Sequence, residues 1–269
     1  MAKRRYTVTN KSIERRIKEG RGKGQFSEYK PWLTIHDVAS LGVVTRILGW
    51  KSGRIHHFLS EHYELAHFLQ MEWAENVIDV REQFPLLPLE KTLFIAETLG
   101  IKHPRDPKSQ HPVVMTTDML ITVKSKEGIE FQAHSIKPSN KLTKRVVEKL
   151  EVERRFFEDN GVKWKLITEK EINYNLVKNI RWLHSAKTLY GMPHLTEQLI
   201  DEVEPQLLSA LQTEEKACAK ITVDQDRRLE LPLGTCMFVL KHLIANRRWR
   251  VDMLKPINTS LESLGVERI

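Results

Sequence analysis

A chain of 269 residues with 41% hydrophobic and 29% charged side chains carries enough apolar material for a buried core, which excludes a disordered chain and sets a prior of one to two domains. Its net charge of +8 favours a polyanionic partner, and no apolar stretch approaches the length of a membrane span. The start, Met1-Ala2-Lys3-Arg4-Arg5-Tyr6, lacks the hydrophobic segment of a secretory signal. Cys218 and Cys236 form neither a disulfide framework nor a metal-ligand spacing, so a reducing cytoplasm is the expected home and no membrane partner is expected.

Residues 1–30 hold ten Lys or Arg (3, 4, 5, 11, 15, 16, 18, 21, 23, 30) against three acids (14, 19, 28), a net +7. Such a run is either a solvated tail or an arm that neutralises DNA phosphates. On the second reading Arg15, Arg16, Lys18, Arg21 and Lys23 are DNA-binding residues. Ser12 to Glu19 fits a short basic helix, ended by Gly20-Arg21-Gly22-Lys23-Gly24. Gly53-Arg54-Ile55-His56-His57-Phe58 leads to a helix whose Leu65, Phe68, Leu69 and Met71 keep helical spacing. Val77 to Arg81 reads as a strand stopped by Pro85 and Pro88, and the proline-rich segment 101–112 as a loop.

A strand at about 113–123 then turns through Lys124-Ser125-Lys126-Glu127-Gly128 into a second strand at about 129–137. A helix from about Leu142 to Asp159 carries Leu142, Val146, Leu150 and Phe157 along one side. Asn160-Gly161 ends it, and Val162 to Leu166 alternates like a strand. Strand, helix, strand implies a right-handed crossover and an α/β core, a mixed sheet with flanking helices over residues 1–168. Residues 169–269 change texture. Leu176, Ile180 and Leu183, then Leu195, Leu199 and Val203, then Leu233 to Ala245 keep helical spacing. The basic stretch Arg247-Arg248-Trp249-Arg250 follows like a wing. A winged helix-turn-helix domain fits, with Arg247, Arg248 and Arg250 toward DNA; a helical interaction module fits the pattern equally well.

The hairpin carries the candidate chemistry. Ser135 and Lys137 share a face of the second strand, where Asp118, closing the run Val113-Val114-Met115-Thr116-Thr117, can reach them. Glu64, on the preceding helix, can supply another carboxylate. Two carboxylates and the backbone carbonyl of Ile136 suit a magnesium ion, which keeps several waters. Lys137 would orient or help deprotonate the attacking water, or stabilise charge on phosphorus. The plainer reading is a cross-strand ion pair between Asp118 and Lys137. His56, His57, His62 and His67 suggest zinc only weakly, since His56 and His57 point apart when extended and no Cys is near; His67 stands one turn from Glu64 and would pack against it or orient it.

Several segments resemble the TnsA family, the endonuclease subunits of heteromeric bacterial transposases. They are Arg15-Arg16-Ile17-Lys18-Glu19-Gly20-Arg21-Gly22, Tyr29-Lys30-Pro31-Trp32-Leu33-Thr34, Gly53 to His57, Glu64-Leu65-Ala66, Glu72-Trp73 and Arg81-Glu82-Gln83-Phe84-Pro85-Leu86-Leu87. Ile101-Lys102-His103-Pro104, Met115-Thr116-Thr117-Asp118, Ile136-Lys137-Pro138 and Glu148 to Arg155 continue the pattern, with a looser match at Leu231-Pro232-Leu233-Gly234. The resemblance implies a restriction-endonuclease-like domain followed by a helix-turn-helix domain, in a bacterial, DNA-associated protein. It maps the helix acid to Glu64, the strand acid to Asp118 and the lysine to Lys137. It also implies magnesium, one or two ions, and hydrolysis of the strand at the 5′ ends of a transposon. A TnsB-like transposase would cut and join the other strand, and a TnsC-like ATPase would regulate the complex. One departure stands out: Ser135 occupies a position where the family usually has Gln and related nucleases have Glu, which leaves the metal count open. The rival readings are a stand-alone restriction-type or junction-resolving nuclease, and a DNA-binding regulator whose nuclease-like domain is only a scaffold.

Overall fold

The computed structural model describes residues 7–37 and 45–269, so Lys3, Arg4 and Arg5 of the basic start lie outside the described residues. The chain divides into two compact units, 1–172 and 173–269. No described helix is long and apolar enough to cross a membrane.

The first unit is built on a four-stranded mixed sheet. Its strands, side by side in chain order, are β3 (Val77–Pro85), β4 (Thr116–Ser125), β5 (Gly128–Ile136) and β6 (Lys163–Ile167). β3, β4 and β5 are antiparallel neighbours, while β6 runs parallel to β5 after the intervening helix α4 (Lys144–Glu158). The β4–β5 register pairs Leu120 with Ala133 and Met119 with His134, so alternate residues of both strands share a face. On one face Leu120 and Ala133 join Val152, Phe156 and Phe157 of α4 and Ile95 and Ala96 of α3 (Leu89–Thr98) in one apolar cluster. Burying each of the two phenylalanines contributes roughly 1.5–3 kcal/mol. On the other face His134 meets His67 of α2 (Ala66–Trp73), with ring nitrogens 2.9 Å apart.

β3 is the sheet's edge, yet most of it is buried. The chain before it covers that edge: the Trp32 N–H donates to the Gln83 carbonyl (3.1 Å) and the Tyr29 hydroxyl to the Glu82 carbonyl (3.1 Å). Helix α1 (Asn10–Lys18) starts at a capping box between Thr9 and Ser12 and stops before Gly20, whose φ is +76°. Gly22 lies so close to the Pro85 ring that a Cβ would overlap it.

Two elements depart from expectation. Gly53 to Phe58 does not run straight into a helix. Ile55–Phe58 is β2, paired antiparallel with β1 (Thr45–Leu48), and a one-turn π-helical segment, Glu61–Leu65, then enters α2. The buried positions of β2 are His56 and Phe58, and a buried histidine disguises the apolar alternation of a strand. The expected strand start at 113 moves to Thr116, because Val113 and Met115 bond to the loop carbonyl of Pro104 and the N–H of Leu86 outside the ladder.

The second unit comprises α5 (Tyr174–Leu183), α6 (Glu197–Thr213), α7 (Cys218–Arg228), α8 (Thr235–Ala245) and a short antiparallel pair, β7 (Trp249–Arg250) with β8 (Glu267–Arg268). Asp226 at the end of α7 accepts the N–H groups of Gly234 (2.6 Å) and Cys236 (2.7 Å), fixing the start of α8 onto α7. The expected wing is a two-residue strand, with Trp249 buried and bonded through its indole N–H to Glu204 (2.9 Å).

Candidate active site

Leu120 and Ala133 face α4, so Asp118, two residues before Leu120, and Ser135 and Lys137, two and four after Ala133, lie on that face near the end of the hairpin. There the Lys137 ammonium sits 2.6 Å from Asp118 Oδ2. The same carboxylate oxygen accepts the Ile136 N–H at 2.6 Å, and Lys137 also donates to the Ile136 carbonyl at 3.0 Å. The Lys137 N–H bonds to Ile167 of β6, which extends the parallel pairing to the catalytic candidate itself. Burial works against the Lys137 charge, but Asp118, with lesser contributions from Glu153 and Glu64, holds the ammonium above its ordinary range.

Glu64 enters from the π-helical turn. Its Oε2 accepts the Leu59 N–H at 2.9 Å, which fixes the carboxylate against its own turn. Burial and then the nearby Asp118 charge push its acid up to about 7, partly offset by Lys137. Glu64, Asp118 and Lys137 therefore share one electrostatic site, although no three His, Cys, Asp or Glu side chains among the described residues form a preassembled metal cage. All the available donors are oxygens: two carboxylates and the Ile136 carbonyl. That set fits a hydrated magnesium or manganese ion better than zinc.

Ser135 is buried, and its hydroxyl donates to the Glu153 carboxylate. Glu153, on α4, also accepts the Trp164 indole N–H at 3.1 Å. It is 4% exposed, and burial is the largest cause raising its acid above the usual carboxylate range. Sequence reasoning missed Glu153. A signal in the sequence is the gap in the apolar rhythm 146, 150, 157 of α4: the step that should lie near 153 is an acid.

His67 does not orient Glu64. It pairs with His134, and burial pushes the two rings down to about 4 and about 3, so both are neutral. His56 belongs to a separate network in which Ser52 Oγ meets His56 Nε2 (2.7 Å) and His56 Nδ1 meets Glu82 Oε2 (2.8 Å). That is the connectivity of a hydrolase triad, but Ser52, His56 and Glu82 are all buried, and Arg54 is bonded to Glu82 as well. Burial opposes ionisation of Glu82, yet His56 and Arg54 hold its acid down to about 2. The network ties the β1–β2 hairpin to β3 and offers no nucleophile.

The basic residues separate into two groups. Arg15, Lys18 and Lys23 are exposed. Arg16 and Arg21 are not presented as a phosphate-binding row: both pair with buried Asp37, at 3.1 and 2.7 Å, and Arg16 lies over the Trp32 ring. In the second unit Arg250 is exposed and Arg247 half-buried, whereas Arg248 is bound to Asp201 (2.7 Å) and to the buried acid Glu204. Arg16, Arg21 and Arg248, expected to contact DNA, are thus each engaged in an ion pair within the protein. Sequence alone could not separate them, because Asp37 and Asp201 lie 16 to 47 residues from the arginines they hold.

Comparison with known proteins places the chain in a family. A model of the TnsA-like endonuclease N terminal matches residues 74–169, and a model of the TnsA endonuclease C terminal matches residues 171–253. The transposon Tn7 transposition protein TnsA of Escherichia coli is 39% identical over 261 residues, covering 97% of this chain and 92% of that protein. The chain belongs to the TnsA endonuclease family.

Proposed function

We propose that the chain is a magnesium-dependent DNA endonuclease that hydrolyses the strand at the 5′ ends of a transposon during cut-and-paste transposition. It would work with a TnsB-like transposase that cuts and joins the other strand, and with a TnsC-like ATPase. The observation that carries this reading is the Asp118–Lys137 contact at 2.6 Å together with the half-buried Glu64, whose acid the Asp118 charge helps to raise. A structural cross-strand ion pair gives no reason for a second, half-buried carboxylate to feel the charge of the first.

Asp118, Glu64 and the Ile136 carbonyl would hold the cation. When bound, a divalent ion polarises a phosphoryl oxygen and makes a coordinated water nucleophilic near neutral pH. Lys137, kept protonated by Asp118, would donate to the scissile phosphate and offset the charge that grows on it. Water is the nucleophile on this reading: Cys218 and Cys236 are buried, with the Cys218 thiol pushed up by burial to about 11, and Ser52 is enclosed. Hydrolysis would leave a 5′-phosphate and a 3′-hydroxyl.

Exposed Arg15, Lys18 and Lys23 are the residues of the basic arm best suited to phosphates. In the second unit, α7, the turn after it and α8, followed by the β7–β8 pair, suit a winged helix-turn-helix with Arg250 and Arg247 toward DNA.

The test is cleavage of end-labelled transposon-end DNA by the full chain with the partner transposase and ATPase, in magnesium and in excess chelator. A 5′-end-strand cut that appears only when this chain is present and that needs the cation supports the proposal. Equal cutting of that strand in chelator would refute the metal-dependent mechanism.

A further inference from the structure

Three carboxyl groups and one lysine meet at this site. Asp118 touches Lys137 directly, and Glu64 and Glu153 both act on the same lysine charge. With all three acids ionised, the charge is two negative units in excess, the amount a divalent cation carries. Among the described residues Glu153 has no cation within ion-pair distance; its carboxylate is held by neutral donors, Ser135, Trp164 and Thr117. A carboxylate closed off from water in this way is expensive to keep, whereas packing alone would be served as well by a glutamine or an apolar side chain. The helix position makes the cost plain, since Val152, Phe156 and Phe157 around Glu153 all belong to the core.

We propose that Glu153 is a positioning residue for the divalent cation, resting on the metal-site reading above. Its carboxylate supplies from α4 the negative charge that β5 lacks at position 135, and it acts through the Ser135 hydroxyl and the cation's water shell rather than as a direct ligand. Ser135 is the connecting group: a serine oxygen that donates its proton to Glu153 keeps its lone pairs for a water or a cation on the Asp118 side. A short side chain on the strand and a long acid on the helix thus divide a task that one longer strand residue could perform.

The experiment measures Mn²⁺ binding to the full chain by calorimetry and electron paramagnetic resonance, without DNA, for wild type and Glu153→Gln. The melting temperature of each metal-free protein is recorded alongside. The amide retains the shape and can still accept from Ser135 and Trp164. The inference predicts a roughly 10- to 100-fold loss of Mn²⁺ affinity, the size seen for outer-sphere partners, with a metal-free melting temperature equal to or above wild type. If Glu153→Gln binds Mn²⁺ as tightly as a wild type that does bind it, the inference falls while the metal-site reading stands. A loss of affinity accompanied by a lowered metal-free melting temperature makes Glu153 a structural acid and also overturns the inference. Wild type that binds no Mn²⁺ removes both.

Discussion

Lys137 Nζ and the Ile136 N–H converge on one oxygen of Asp118, each at 2.6 Å. One carboxylate oxygen therefore sets both the position of the lysine and the backbone at the end of β5, and a substitution at Asp118 changes more than a ligand. Asp118→Asn keeps the volume but loses the charge that holds Lys137 protonated in a buried place. Breaking a buried pair from one side costs about 3–5 kcal/mol when the remaining charge stays buried. Lys137 retains a third of its side-chain exposure, so the lower end of that range or less is expected. Thermal melts of wild type, Asp118→Asn and the double variant Asp118→Asn/Lys137→Met check this: the double variant should recover part of the loss.

Glu64 supplies a pH dependence whose sign is fixed by burial. Its acid is raised to about 7 against an ordinary value of 4.5, so between those values the folded metal-free protein binds more protons at this site than the unfolded chain. The Glu64 contribution to metal-free stability is accordingly full below about 4.5 and declines as pH rises through about 7. A cation that needs the ionised acid should bind more tightly over the same interval. Melting temperature and Mn²⁺ affinity followed from pH 5 to 8 should diverge in wild type, and Glu64→Gln should flatten this site's contribution to both.

Glu82 has the opposite sign. Arg54 and His56 hold its acid down to about 2, so it stabilises the fold above the unfolded value and the contribution disappears as pH falls toward 2. Glu82→Gln leaves the Arg54 guanidinium in a buried pocket without its counter-charge, a loss of roughly 3–5 kcal/mol at neutral pH. Its urea midpoint at pH 7 should fall well below wild type, and the gap should narrow in acid.

The two groups of basic residues should respond differently. Arg15→Ala and Lys18→Ala should weaken DNA binding and reduce its salt slope by about 0.9 for each phosphate no longer neutralised, with melting temperature unchanged. Arg21→Ala should instead destabilise the protein, because it strips a partner from buried Asp37. Arg248→Ala should do the same through Glu204. Binding isotherms across a salt series, paired with melts, separate the two classes. Deletion of residues 1–24 would mix them, because it removes the exposed cations together with Arg16 and Arg21, which pair with Asp37.

The hairpin and the meeting of Asp118 with Lys137 are legible in the sequence because side chains alternate along a strand: a register that buries Leu120 and Ala133 puts Asp118, Ser135 and Lys137 on the same face. Helix α4 is legible from its apolar stripe, and the switch to helices after Ile167 from the change of period. The β1–β2 hairpin is not, because His56 fills a core position and is satisfied by Ser52 and Glu82 rather than by being apolar. Helix α3 is hidden between the prolines on either side of it, and α7 by a short buried face that includes polar Thr222, Gln225 and Asp226. Glu153 and the roles of Arg16, Arg21 and Arg248 depend on partners distant in sequence, which local pattern does not encode.

The most direct measurement is strand-specific cleavage of labelled transposon-end DNA in magnesium with the partner transposase and ATPase present, comparing wild type with Asp118→Ala. The account predicts that the variant loses the 5′-strand cut by at least about 10²- to 10³-fold, while the partner's cut on the other strand persists. A folded Asp118→Ala protein that cuts the 5′ strand as fast as wild type would contradict it, because Asp118 would then be a structural acid and the chemistry would lie elsewhere.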